Sequence, residues 1–365
     1  MRIVVSAGGT GGHIYPALAV IDKLKKEYKD LEVLYIGTKN RMESELIPSR
    51  GIPYEGIEIY GFTKNILRDI KNVFLLGSSY NKCYKLISEF KPDLVLGFGG
   101  YVTYPVLKAA KKLKIKTFLH EQNSIVGKTN KALSNGVDLV AVSFLSTMNK
   151  FKNAKKVIYS GNPCGASALT TKEIKNSDIG FDNKKKLVVV VAGSLGSKTM
   201  NEKLKEFLRL SKKSDYQVLY ITGKAHYDEF IEGARFSSNV KVLPYLDNLA
   251  GLLRNADLIV TRAGASTMSE ILALRLPAIF VPSPYVANNH QYYNAKEIVD
   301  NNAGIMIEEE NLNGEVLFKN VNDLFNDKQK YEIIKMNLKN MGKTDSSEII
   351  VKEIKELIKW KILKT

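Results

Sequence analysis

The chain has 365 residues, 44% of them hydrophobic and 25% charged, a balance that excludes a disordered protein and leaves room for two domains. Its two cysteines, Cys83 and Cys164, form no CxxC pair, so neither a disulfide scaffold nor a zinc finger is encoded. The net charge is +16, from 54 Lys and Arg against 38 Asp and Glu, and only nine of the cations are Arg. A Lys-dominated excess favours an anionic surface or a phosphorylated substrate and argues against a nucleic-acid partner.

The N-terminal stretch MRIVVSAGGTGGH enters a strand-like run at once, which leaves no room for the n- and h-regions of a signal peptide. The longest apolar run, around Leu187–Ala192, is far shorter than the roughly 20 residues of a membrane-spanning helix. Short apolar runs at Ile3–Ser6, Val33–Ile36, Leu94–Leu96, Thr117–Leu119 and Leu139–Val142 read as buried strands. Leu187–Val191, Val218–Ile221, Val240–Leu243, Leu258–Val260 and Ala278–Val281 read the same way in the second half. Such runs are continuous rather than alternating, and helical patterns separate them, so the strands should be parallel and covered on both faces. That predicts an α/β protein, doubly wound twice over. A weak repeat supports the doubling: VVSAGGTGG at Val4–Gly12 aligns with VVVAGSLGS at Val189–Ser197.

Between Lys64 and Ile87 the residues Ile66, Ile70, Val73, Gly77, Tyr80, Tyr84 and Ile87 recur at four-three spacing and predict one core-facing helix face. Lys64, Arg68, Lys71 and Lys82 cluster opposite, with Leu75 among them and Leu67 and Phe74 on the flank. A basic stripe carrying apolar side chains predicts docking on an anionic membrane surface through Leu67, Arg68, Lys71, Phe74 and Leu75. The first half closes near Gly161–Asn162–Pro163, giving domains over 1–163 and 164–344. Asp345-x-x-Glu348 reads as a capping box opening a last helix, 345–365, whose Ile350, Ile354, Leu357 and Ile358 share one face.

Glycine loops follow several strands. GGTGGH (Gly8–His13) opens a helix whose free N–H groups suit an anion, yet it fails the GxGxxG spacing of a nicotinamide site. GSLGSKT (Gly193–Thr199) likewise misses the P-loop pattern, because Ser197 separates Gly196 from Lys198. GFGGYVTYP (Gly97–Pro105) places Gly99, Gly100 and Tyr101 on the same ligand-binding edge of the sheet. In TRAGASTMSE (Thr261–Glu270), Ser266 or Thr267 can cap a helix, and Glu270 lies one turn in, placed to bind ribose hydroxyls. His13 ends a glycine loop at a helix start and reads as functional. His120 leads into Glu121-Gln122-Asn123 at a strand end, His226 reads as surface, and His290 lies in a polar NNHQ cluster. No HxxxH or DxD pattern occurs, so the mechanism is expected to need neither metal nor cofactor.

GGTGGHIYPALAV, GFGGYVTYP, HEQNSIVGKTNK, SGNP, AGSLG, RAGASTMSE and NNHQYYNA occur in this order across almost the whole chain. Together they resemble the MurG family, the UDP-N-acetylglucosamine:undecaprenyl-diphospho-muramoyl(pentapeptide) N-acetylglucosaminyltransferases of peptidoglycan synthesis. The resemblance implies a GT-B fold, two Rossmann-like domains facing a central cleft. The acceptor domain comes first and the nucleotide-sugar domain second, with the last helix returning to the first. It also implies donor contacts at Thr10, Gly11, Gly12, Asn123, Ser194, Leu246, Ala265, Ser266, Thr267, Glu270 and Gln291, and would put an acceptor diphosphate at Gly99, Gly100 and Tyr101. Cys164 and Gly165 stand where the family has Arg after NP, Leu195 replaces a Gln, and His290 replaces a Gln of one branch. The implied reaction is inverting transfer of GlcNAc from UDP-GlcNAc to a polyprenyl-diphosphate-linked muramoyl-pentapeptide. His13 is the first choice for general base and Glu121 the second. The implied place is peripheral, on the cytoplasmic side of the cell membrane, with cell-wall synthesis proteins as partners. Three other readings are a GT-B UDP-sugar transferase acting on a different glycolipid, a nicotinamide oxidoreductase, and a non-catalytic nucleotide-sugar-binding subunit.

Overall fold

A computed structural model describes residues 1–61, 66–192 and 196–362, the side chains of 66–68 and 360–362 excepted. The chain divides into two units, Met1–Cys164 with Asp345–Thr365, and Gly165–Thr344.

Unit 1 is built on seven strands: β1 (Arg2–Ser6), β2 (Glu32–Thr38), β3 (Tyr54–Ile57), β4 (Leu94–Gly97), β5 (Lys116–Glu121), β6 (Leu139–Val142) and β7 (Val157–Tyr159). All pair in parallel, in the order β3-β2-β1-β4-β5-β6-β7. Its helices are α1 (Gly11–Glu27), α2 (Glu43–Ser49), α3 (Ile66–Phe90), α4 (Thr103–Lys112) and α5 (Lys128–Leu133). α6 (Cys164–Thr170) crosses into unit 2. Unit 2 carries β8 (Leu187–Val191), β9 (Gln217–Ile221), β10 (Val240–Leu243), β11 (Leu258–Thr261), β12 (Ala278–Phe280) and β13 (Ile305–Met306). These are parallel too, in the order β10-β9-β8-β11-β12-β13. Its helices are α7 (Lys198–Leu210), α8 (Tyr227–Ile231), α9 (Leu249–Leu253), α10 (Ala265–Leu274), α11 (His290–Asp300), α12 (Gly314–Asn326) and α13 (Lys328–Met341). The chain then returns to unit 1 as α14 (Ser346–Ile362).

Strand periodicity explains the layering. Successive residues of β1 face opposite ways, so Ile3 and Val5 join one apolar cluster and Val4 the other. The first cluster takes Ile14, Ala17 and Ile21 of α1 and is closed by Ile350, Val351 and Ile354 of α14. The second takes Cys83 and Ile87 of α3 and Val106 and Leu107 of α4. Both faces of the sheet are therefore dry, which is why its strands read as unbroken apolar runs. Ion pairs from Lys23 to Glu348 (2.9 Å) and from Lys355 to Glu27 fasten α14 to α1.

Three features differ from the sequence reading. First, the strands β3, β7 and β13 went unread because they are short and only partly buried. Second, Asp345 caps α14 by accepting the Ile349 N–H on its carbonyl (2.9 Å), but the Glu348 side chain is committed to Lys23 and its own N–H. Third, the buried face of α3 is rotated by about one residue from the expected one, with Tyr80 and Ile87 still on the core. Ile70, Val73 and Tyr84, expected in the core, are 51%, 56% and 39% exposed, and Gly77 is exposed as well. The buried seam is Asn72, Ser79, Cys83 and Ile87, with Leu76 packed beside it. The Asn72 amide bonds both backbone groups of Tyr60 (2.9 and 2.6 Å), and the Ser79 hydroxyl donates to the Glu58 carbonyl (2.9 Å). A seam that satisfies an uncapped chain edge needs polar residues, so an apolar count selects the wrong face.

Candidate active site

The glycine loops emerge at the carboxyl ends of the strands, the edge where open parallel sheets bind ligands. In unit 1 the loop after β1 holds Gly9 at φ +87°, and α1 begins at Gly11 with Thr10 at its N-cap. Thr10 makes no side-chain cap, and its hydroxyl lies 3.4 Å from His13 Nδ1. The same nitrogen lies 3.1 Å from the Gly8 carbonyl. Gly11 and Gly12 supply first-turn amides that the helix itself cannot satisfy.

The loop after β4 packs against this one. Gly99 and Gly100 have φ of +99° and +81°, a region open to glycine at little cost. A Cβ on Gly99 would stand 2.8 Å from the His13 ring, and one on Gly100 would collide with the Gly8 carbonyl. Both glycines therefore make room for the first loop and its histidine. Tyr101, half-buried, packs beside Gly61. The Thr103 hydroxyl ties the two loops together through the carbonyls of Ser6 (3.2 Å) and Gly99 (2.8 Å).

Glu121, the second choice for general base, lies at the end of β5. It is 1% exposed and accepts from the N–H of Asn123 (3.1 Å), the N–H of Gly127 (2.9 Å) and the Asn130 amide (2.8 Å). Burial pushes its pKa up while these donors pull it down. The carboxylate organises the turn that carries Asn123 and the start of α5. His120 is fully buried, with Nε2 3.2 Å from the Gly161 carbonyl, and burial lowers its pKa to about 4. It is neutral at physiological pH.

In unit 2, α10 begins directly after β11 and its turn, with Gly264 at the N-cap. Ala265, Ser266 and Thr267 form its first turn, and no side chain caps it. The Ser266 hydroxyl is buried with no hydrogen-bond partner, although it stands at the positive end of a ten-residue helix. Glu270 is half-buried and accepts no hydrogen bond among the described residues, and desolvation alone raises its pKa to about 7. Gln291, in the first turn of α11, accepts the Ser283 N–H (2.9 Å), which fixes its side chain. Leu246 lies half-buried in the loop after β10. Ser194 and Leu195 lie outside the described residues, as do Lys64 and the side chains of Leu67 and Arg68.

Two buried charges were missed. Glu43 lies under the loop after β1 and accepts the Gly9 N–H (3.2 Å). Arg262, at the end of β11, pairs with Glu309 and donates to the Ser197 hydroxyl (2.9 Å), which itself caps α7. Both follow or precede apolar runs at unremarkable spacing, so no periodic signal marks them. His226 is half-buried rather than at the surface, its ring lying close to Gly196. Among the described residues no group of three or more His, Cys, Asp or Glu could hold a metal ion. No described helix is long and apolar enough to cross a membrane.

The predicted docking stripe on α3 also changes. Lys71 is exposed, but Lys82 is paired with Glu55 (2.9 Å) and the Gly56 carbonyl, and Leu75 is half-buried. The exposed apolar side chains are Ile70, Val73 and Phe74, the last 76% exposed. Beside them Val73, Leu76, Tyr80, Tyr104, Pro105 and Lys108 line an open groove of about 460 Å³.

The family models for the glycosyltransferase family 28 N-terminal and C-terminal domains match residues 3–142 and 187–353. The UDP-N-acetylglucosamine–N-acetylmuramyl-(pentapeptide) pyrophosphoryl-undecaprenol N-acetylglucosamine transferase of Bacillus licheniformis is 41% identical over 98% of this chain and 99% of that one. The enzyme of the same description from Halalkalibacterium halodurans is 42% identical over 98% and 100%. Among solved structures, MurG of Acinetobacter baumannii superposes with a TM-score of 0.80 at 28% identity, covering 97% of this chain and 99% of that one. MnaA of S. aureus with UDP, at 19% identity and a TM-score of 0.69 over 97% and 96%, shares the fold.

Proposed function

The chain belongs to glycosyltransferase family 28, among the MurG transferases, and on that membership and the site geometry we propose the following reaction. It transfers N-acetylglucosamine from UDP-GlcNAc to the muramoyl sugar of undecaprenyl-diphospho-MurNAc-pentapeptide, with inversion at the anomeric carbon. The observation that carries the donor site is the uncapped start of α10, where an orphaned Ser266 hydroxyl and an unpartnered Glu270 stand one turn apart. The diphosphate lies against the amides of Ala265, Ser266 and Thr267, and Glu270 accepts from the two ribose hydroxyls. The Leu246 backbone reads the uracil edge, and Gln291 and Asn123 bind the sugar, with Thr10, Gly11 and Gly12 at the transferred group.

The acceptor hydroxyl oxygen attacks the anomeric carbon as its bond to the diphosphate oxygen breaks. The electron pair leaves with UDP, where the α10 N-terminus stabilises the growing charge. The hydroxyl proton passes to His13 Nε2, acting as general base. Gly99, Gly100 and Tyr101 receive the acceptor diphosphate.

An acceptor on a polyprenyl chain requires the enzyme to work at a bilayer. The exposed Ile70, Val73 and Phe74 of α3, flanked by Lys71 and Lys108, supply an apolar surface and cations for anionic headgroups at about 1 kcal/mol per Lys. This face keeps Lys71 and Phe74 of the expected stripe and adds Ile70 and Val73; the place proposed for the chain is peripheral, on the cytoplasmic side of the cell membrane, with cell-wall synthesis proteins as partners. The deciding experiment supplies labelled UDP-GlcNAc with the lipid-linked muramoyl-pentapeptide in detergent. Label should enter the lipid and UDP should appear in equal amount. Transfer only to a glycolipid lacking the muramoyl sugar would overturn the acceptor assignment.

A further inference from the structure

Glu43 opens α2, is fully buried, and belongs to no motif. Its Oε1 accepts from the N–H (3.2 Å) and hydroxyl (2.7 Å) of Thr38 at the end of β2. Its Oε2 accepts the Gly9 N–H (3.2 Å). That N–H and the Gly8 carbonyl belong to one planar peptide group. The carbonyl on its other side is the partner of His13 Nδ1, at 3.1 Å. Carboxylate, peptide and imidazole therefore form a single hydrogen-bonded line across the loop after β1.

We propose that Glu43 is a positioning residue for His13, acting through the Gly8–Gly9 peptide to hold the Nδ1–H tautomer and leave Nε2 as proton acceptor. This rests on the reading of His13 as general base. Two amide N–H groups can only donate, and the carboxyl meets each of them with an accepting oxygen. A charge bonded to the N–H side of a peptide polarises its carbonyl and strengthens the bond that carbonyl accepts. The imidazole thereby gains basicity at Nε2. The steric fit agrees: a Cβ on Gly8 would collide with Glu43 Oε1, so glycine and carboxylate are matched. The titratable groups packed against the pair are Tyr35 on β2, Tyr54 on β3 and His120 on β5. Burial keeps both tyrosines protonated and His120 neutral.

The test compares Glu43→Gln, His13→Ala and the double variant of the full chain, measuring kcat from pH 5.5 to 9.5, KM for UDP-GlcNAc, and Tm. Glu43→Gln should lower kcat on the order of tenfold, leave KM within about twofold, and move the acidic limb of the kcat profile to lower pH. In the His13→Ala background it should cost nothing further, because the group it serves is gone. Losses that multiply in the double variant, or an unmoved acidic limb with a lowered Tm, would make Glu43 a loop brace and overturn the proposal. If His13→Ala itself keeps kcat within about tenfold, the base assignment has failed and the positioning role falls with it. A measurement on the unaltered chain stands apart from variant folding. The ¹⁵N shifts of His13 should report a protonated Nδ1 and a bare Nε2, and the opposite tautomer would overturn the proposal.

Discussion

Replacing Glu270 with glutamine should make the protein more stable and a poorer enzyme at once. The carboxyl is half-buried, meets no hydrogen-bond donor among the described residues, and has its pKa lifted from the ordinary carboxylate range to about 7 by desolvation alone. A carboxyl that is more basic in the folded chain than in the unfolded one lowers stability as pH rises through the window between the two values. Each unit of that window is worth about 1.4 kcal/mol, so at pH 8 the ionised group costs up to about 3 kcal/mol, less whatever water still reaches it. Glu270→Gln removes the ionisation and should raise Tm at pH 8 by about 2–4 °C for each kcal/mol recovered, while changing little at pH 5. Ribose hydroxyls donating to a carboxylate are worth about 1.5–3 kcal/mol, so KM for UDP-GlcNAc should rise on the order of 10–100-fold. In the parent that KM should climb as pH drops below about 7 and the carboxyl takes a proton; in the variant it should be flat. Scanning calorimetry at pH 5 and 8 and KM at the same values decide it. A Tm that falls at pH 8, or a parent KM that does not change between pH 6 and 8.5, would refute the desolvated ribose acceptor.

Glu121→Gln should lower Tm, because a carboxylate bonded to three donors is lost, while a properly folded fraction retains kcat within about tenfold; abolished turnover at an unchanged Tm would return Glu121 to the chemistry. Gly100→Ala forces a side chain into a left-handed backbone and against the Gly8 carbonyl, so it should cost at least about 1–2 kcal/mol and depress kcat by displacing His13. Wild-type turnover in that variant would show that the two loops need not touch. Val73→Ser/Phe74→Ser should bind anionic vesicles more weakly in co-sedimentation while keeping activity on a soluble acceptor, and parental binding would place the docking surface elsewhere.

The sheets were legible because both faces are covered. Val188, Val189 and Val190 of β8 are all fully buried, so no alternation interrupts the apolar signal. Edge strands escape that rule: Tyr54, Glu55 and Gly56 of β3 are each only partly buried and read as loop. The glycine loops were visible because φ values near +80° to +100° select one residue type. What could not be read were groups whose role is set by a distant partner. Asn72 and Ser79 look like surface residues until the Glu58–Tyr60 backbone is laid beside them. Glu43 and Arg262 look like ordinary charges until Gly9 and Ser197 are found within reach. For Glu121 a carboxylate at a strand end suggested chemistry, and the sequence did not show that donors from Asn123, Gly127 and Asn130 surround it.

The return of α14 to unit 1 fixes an order of events during synthesis. The apolar side of α1 presents Ile14, Ala17 and Ile21 to Ile350, Val351 and Ile354, which are made only after the whole of the second unit. At about 5–20 residues per second, residues 165–345 take roughly 10–40 s to make. Throughout that interval the N-terminal unit keeps one flank of α1 bare, so its first apolar cluster closes only after the second unit has been made.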